Sequence, residues 1–172
     1  MSENSNFNAI FGGVVPTTPT TINRKYGLFR SALNQILTTA LIPQAIGLEI
    51  TDESDGVSVS SGVISFTTTG VYMMEVTILF KHISPITSDT GYVWYEKGGV
   101  QVASTTRLIK GNPNIDNSTL TLSYMVEIAD TSTDTIQFYF TATSIDLSIS
   151  RLTSASYPSG SSVILNVFQI AN

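Results

Sequence analysis

The chain has no cysteine, one histidine and one tryptophan. Without cysteine there can be no disulfide, no thiolate nucleophile and no thiolate-bound zinc. A single histidine, His82, cannot supply a histidine-rich metal site either. Charge is also scarce. Charged residues make up 12% of the 172 residues, against a usual share of about 25%. A chain of this length closes one ordinary domain. With so few charges, part of its surface is expected to be covered by partners. No apolar run reaches the ~18 residues that span a bilayer, so no membrane partner is expected. Met1 to Asn8 is polar and leads into no basic-then-apolar segment, so no secretory leader is expected. The net charge of −5 repels phosphate backbones and argues against nucleic acid as a partner.

What is present divides the chain in two. Residues 1–25 hold Phe7, Ile10, Phe11, Val14 and Val15, with no sustained period. Gly12-Gly13 and the Pro16–Thr21 stretch break any regular element. This zone reads as an extended arm whose apolar residues lie on a surface, that of its own domain or of a neighbour. Arg24, Lys25 and Arg30 stand against only Glu3 in the first 40 residues. This small basic excess either suits an acidic partner or is three solvated side chains.

Residues 26–172 read as one domain. Tyr26 to Leu41 carries both helical and strand signals, and strand is the preferred reading because Pro43 and β-branched residues close it. From Leu48 the period is two. Val57 and Val59 alternate with serines, and Val63 to Phe66 follows. Tyr72, Met74, Val76, Ile78 and Phe80 share one strand face, and Leu120, Leu122, Tyr124, Val126 and Ile128 share another. Lys97-Gly98-Gly99 reads as a hairpin turn, with Val100 to Leu108 returning. Ile136 to Ala142 and Ile145 to Ile149 repeat the alternation. About eight to ten short strands without a long helix imply an all-β, antiparallel two-sheet fold. Three segments, Gly91–Glu96, Ile136–Phe140 and Val163–Ile170, are apolar on both faces. A strand in a two-layer sandwich has one outer face, so a greasy outer face needs a cover, and another subunit is the simplest one.

Little in the chain suggests catalysis. His82, beside Lys81 at a strand end, reads as a surface residue rather than a general base. No Gly-x-Ser-x-Gly elbow accompanies it. Asp52-Glu53-Ser54-Asp55-Gly56 reads as a solvated acidic turn, with calcium as the minor alternative, since the spacing is not that of an EF-hand. Gly98-Gly99 lacks the Lys-Ser/Thr of a phosphate loop. No cofactor is expected.

Several short stretches together resemble a known fold family. They are Tyr26-Gly27-Leu28-Phe29, Ser58 through Phe66 with Thr69-Gly70-Val71-Tyr72, Trp94-Tyr95-Glu96-Lys97-Gly98-Gly99, Asp134 to Phe138, and Ser162 to Val167. They resemble the TNF/C1q-like jelly roll found in bacteriophage and other viral structural proteins. The resemblance covers the chain from Tyr26 to its end and leaves residues 1–25 outside. It implies a homotrimer, with Tyr92, Trp94 and Tyr139 either at the subunit interface or in the sandwich core. It further implies a virion protein made in the host cytoplasm and placed on the capsid surface. There it would decorate and cement the shell by contacting the major capsid protein or another virion protein. Phe7, Ile10, Phe11, Arg24 and Lys25 would be the capsid-contacting arm. The alternative is a receptor-binding or tail-fibre tip, whose loops Ser84–Thr90, Lys110–Asn117 and Ser154–Ser161 would meet a host ligand. Only about 25 residues precede the domain, a short linker for a fibre shaft, which favours the capsid.

Overall fold

A computed structural model describes residues 23–84, 88–113, 117–153 and 159–172. Phe7, Ile10 and Phe11 of the expected arm lie outside the described residues, as do the centres of the three candidate ligand loops. The described strands are β1 (Tyr26–Ser31), β2 (Gln44–Ala45), β3 (Ile50–Asp55), β4 (Val57–Ser60), β5 (Val63–Phe66), β6 (Gly70–His82) and β7 (Asp89–Lys97). They continue with β8 (Val100–Gln101), β9 (Arg107–Gly111), β10 (Ser118–Ile128), β11 (Ile136–Ala142), β12 (Leu147–Ile149) and β13 (Val163–Ala171). The only helical element among the described residues is one 3₁₀ turn, Ala103–Thr105. It divides the expected Val100–Leu108 return into two short strands.

These strands form two antiparallel sheets. One runs β10-β6-β13-β1-β3, with β12 added to β6. The other runs β4-β5-β11-β7-β8, with β2 on β11 and β9 on β7. The protein is thus an all-β two-sheet jelly roll. The period-two alternation explains the layering. In β6, Tyr72, Met74, Val76, Ile78 and Phe80 are all buried, and Met73 and Glu75 between them are exposed. The opposing sheet contributes Ile64, Val93, Tyr95, Ile136, Phe138 and Phe140. Aromatic edges lock the two layers: Tyr95 meets Tyr124 at 5.0 Å in an edge-on contact, and Phe80 meets Phe140 at 6.4 Å. Such pairs add about 0.5–1.5 kcal/mol each beyond the area they bury.

Two hairpins show why turn chemistry fixed the register. Gly98 and Gly99 have φ of 57° and 76°, the left-handed pair a two-residue turn needs to match strand twist. Ser61 and Gly62 do the same between β4 and β5, with φ of 51° and 79°.

Three expectations are corrected. The segment after Ser31 is not a continued strand: residues 32–43 are irregular apart from a single bridge between Gln35 and Ile149. The Gln35 side chain explains this. It donates to the Gly47 carbonyl and accepts from the Gly47 amide, so a side chain stands in for the backbone ladder. The acidic stretch Asp52–Asp55 is not a turn but the body of edge strand β3, paired with β1. Finally, His82 is not a surface residue. It is 5% exposed because it occupies the inward parity of β6, in line with Phe80.

Candidate functional site

With no built-in catalytic constellation in the sequence, the sheet faces turned away from the core become the candidate sites. On the six-stranded sheet, cross-strand register sets Tyr26 opposite Phe168, Phe168 opposite Met73, and Met73 opposite Met125. These four residues run in one row across β1, β13, β6 and β10. Phe168 is 50% exposed, Met73 41% and Met125 71%, with Ile164 also exposed near the start of β13. Strand spacing makes the row roughly 14 Å long. Tyr26 anchors one end by donating its hydroxyl to Glu53 Oε1 at 3.0 Å. That bond to a carboxylate, joined by the negative charge of Glu53, raises the Tyr26 pKa.

The other outward face behaves differently. Tyr139 pairs with Trp94, and Thr141 with Tyr92, so the three aromatics singled out in the sequence stand together on the outer side of β7 and β11. Val93 and Tyr95 of the same strand point into the core. Trp94 is only 6% exposed, although it is outside the main core. Its indole stacks on the Tyr139 ring at 5.9 Å and 13°. The Tyr139 hydroxyl donates to Gln137 Oε1 at 2.9 Å, and burial, followed by the charge of Glu96, pushes its pKa up. The indole Nε1 is buried without a hydrogen-bond partner among the described residues. Trp94 is thus covered within the chain itself, whereas Leu108, opposite Tyr92 on the same face, stands 60% exposed.

The basic residues near the start of the domain are committed in part. Lys25 Nζ lies 3.1 Å from Asp55, and Arg30 Nε 2.9 Å from Asp52. Arg24 is exposed and lines a small cavity beside the C-terminal residues Gln169–Asn172. The carboxylates of β3 are thus met by the cations that flank and occupy β1. No group of three or more metal-capable side chains occurs among the described residues.

The single histidine is structural in its surroundings. His82 Nε2 lies 2.8 Å from Asp89 Oδ2 and Nδ1 lies 3.2 Å from the Asn112 carbonyl. Both partners are acceptors, so each ring nitrogen faces a protein oxygen and whichever nitrogen carries a proton donates to its partner. The ring packs on Gly111, where an added Cβ would meet its Cδ2 at 2.8 Å. The trio ties β6, β7 and the loop after β9 together.

No protein-family model matches the chain. No curated protein matches it either. Among solved structures, the crystal structure of murine APRIL at pH 8.0 is similar, with a TM-score of 0.55 at 11% identity. Murine APRIL structures at pH 5.0 and pH 8.5 each give a TM-score of 0.52, at 8% and 9% identity. In all three, the likeness covers 86% of this chain and 99% of the other. At such low identity the likeness establishes the TNF-like fold alone.

Proposed function

We propose that this protein is a non-catalytic virion structural protein, a homotrimeric jelly roll that decorates and cements the outer surface of a capsid. The observation that supports the self-association is the row Phe168, Met73 and Met125, exposed among the described residues together with Ile164 of the same sheet face. Exposed apolar surface gathered in a contiguous patch is the signature of a protein contact. The low charge content points the same way. A sister copy is the occupant we favour, because a closed ring of identical copies covers the same row on every member at once. Three copies so joined would bridge shell subunits and add interface where a shell is weakest. His82, the one candidate base, is buried with both ring nitrogens facing protein oxygens rather than an open cleft, which supports a role without chemistry.

The second reading, a receptor-binding tip, draws support from the far end of the fold. The His82–Asp89–Asn112 contacts hold the roots of two of the candidate loops on a fixed base. Locating the chain in intact particles tests the choice. High copy number spread over the shell supports cement, and a few copies at a tail end support the tip. Absence from purified particles overturns both.

A further inference from the structure

At the end of the six-stranded sheet away from the apolar row lies a small polar cavity of about 160 Å³. Its wall includes Lys81 from β6 and Arg151 from just after β12, with Asn34, Ser150, Asn117 and Thr153. In a chain of net charge −5, two cations on one cavity are a local reversal of sign. Of the other basic residues, Lys25, Arg30 and Lys97 are paired with aspartates, Lys110 donates to Thr90, Arg107 donates to the Ser104 and Thr106 carbonyls, and Arg24 lines the separate cavity beside Gln169–Asn172. Neither Lys81 nor Arg151 makes an ion pair with another described residue.

The neutral wall is oriented to donate as well. Asn34 Oδ1 accepts from the Ser150 hydroxyl and from the Arg151 backbone amide, both at 3.0 Å. With its oxygen so occupied, the Asn34 side chain keeps its two N–H groups for whatever enters the cavity. The same bonds fix the backbone of Arg151 at its base. The geometry points to a binding site for an acidic sugar, a carboxylated or sulfated saccharide. The two cations would take the anion, with the Arg151 guanidinium able to grip two of its oxygens. The Asn34 and Asn117 amides and the Thr153 hydroxyl would meet the ring hydroxyls. The volume suits one charged sugar unit rather than a drug-sized ligand, whose pockets run to about 300 Å³ or more. A peptide offers that wall one backbone carbonyl and one amide per residue, whereas a sugar ring carries several adjacent hydroxyls, so a sugar fits the wall better. Lys81 stands eight residues from Met73 on β6, about 26 Å away, so this site is separate from the apolar row. The inference does not depend on where the protein sits in a particle.

The test is amide NMR titration of the whole chain with N-acetylneuraminic acid, galactose 6-sulfate, neutral galactose and a hexaglutamate peptide. At least one acidic sugar is expected to shift the amides of Ser150 to Thr153, more weakly as salt rises. The carboxylated and sulfated arms identify which anion is preferred. Lys81→Gln and Arg151→Gln are each expected to weaken binding roughly tenfold. Both residues are exposed, so the folded spectrum should persist. The proposal is overturned if neither acidic sugar shifts those amides, if galactose or the peptide binds equally well, or if both variants bind like the parent.

Discussion

The two outward sheet faces differ in how their large aromatic side chains are covered. On the seven-stranded sheet, Trp94 is 6% exposed and stacks on Tyr139, so its own chain hides it. On the six-stranded sheet, Phe168 and Met125 stand 50% and 71% exposed among the described residues. A strand that is greasy on both sides therefore has two physical outcomes, and sequence alternation alone cannot separate them. What separates them is whether a neighbouring aromatic or a crossing segment lies within reach.

Substitutions can break that comparison. Trp94→Ala should cost about 3 kcal/mol of folding stability, since it removes a large buried ring, yet leave the oligomer's mass unchanged. Chemical denaturation and light scattering of the same sample read both. If Trp94→Ala instead dissociates the oligomer while sparing the fold, the roles of the two faces are reversed. Phe168→Asp should do the opposite. It should leave protomer stability nearly intact and weaken self-association about a hundredfold, ~2.7 kcal/mol, as measured by sedimentation equilibrium. Gly91→Ala probes the layer between the faces. A Cβ there would meet Ile109 Cγ2 and Leu147 Cδ2, both at 2.8 Å, from two different elements. The expected overpacking cost is about 2 kcal/mol, seen as a lower thermal midpoint with unchanged mass.

The smallest expected effect concerns the turn that joins the faces, between β10 and β11. The Ser132 hydroxyl and amide hold the Asp130 carboxyl below its usual range. Burial opposes ionisation of Asp134, but the Asp130 and Ala129 amides and Lys97 outweigh it and lower its pKa. Both carboxylates titrate lower folded than unfolded. Their contribution is therefore fully present above the unfolded pKa of about 3.9 and is lost as pH falls through the lower folded values. Protection of the amides at residues 129–134, corrected for intrinsic exchange, should fall below about pH 4, before that of the β6 core amides. Equal protection at pH 6 and pH 3 would count against the carboxylate anchors.

The readable and unreadable parts of the sequence have physical reasons. Tyr72 through Phe80 was legible because one buried face imposes strict alternation. His82 was legible in principle as well: it keeps the even parity of that row, and treating it as a strand-end surface group ignored the parity. β3 was misread because an edge strand with four exposed polar residues carries no apolar alternation. Its signal lies in β1, whose flanking Lys25 and internal Arg30 meet its aspartates. The grouping of Tyr92, Trp94 and Tyr139 followed from strand membership, but the closing of Trp94 by its own chain did not. The Lys81–Arg151 cavity joins residues seventy positions apart and only becomes visible once β12 pairs with β6.

Methionine oxidation of the assembled protein reads the uncovered row most directly, because Met73 and Met125 sit in it while the adjacent Met74 is wholly buried. In the native oligomer, brief peroxide treatment followed by mass spectrometry should find Met73 and Met125 protected nearly as well as Met74. In the Phe168→Asp variant both should oxidise rapidly. Rapid oxidation of Met73 and Met125 in the native protein, with Met74 untouched, would contradict the claim that sister copies cover this face.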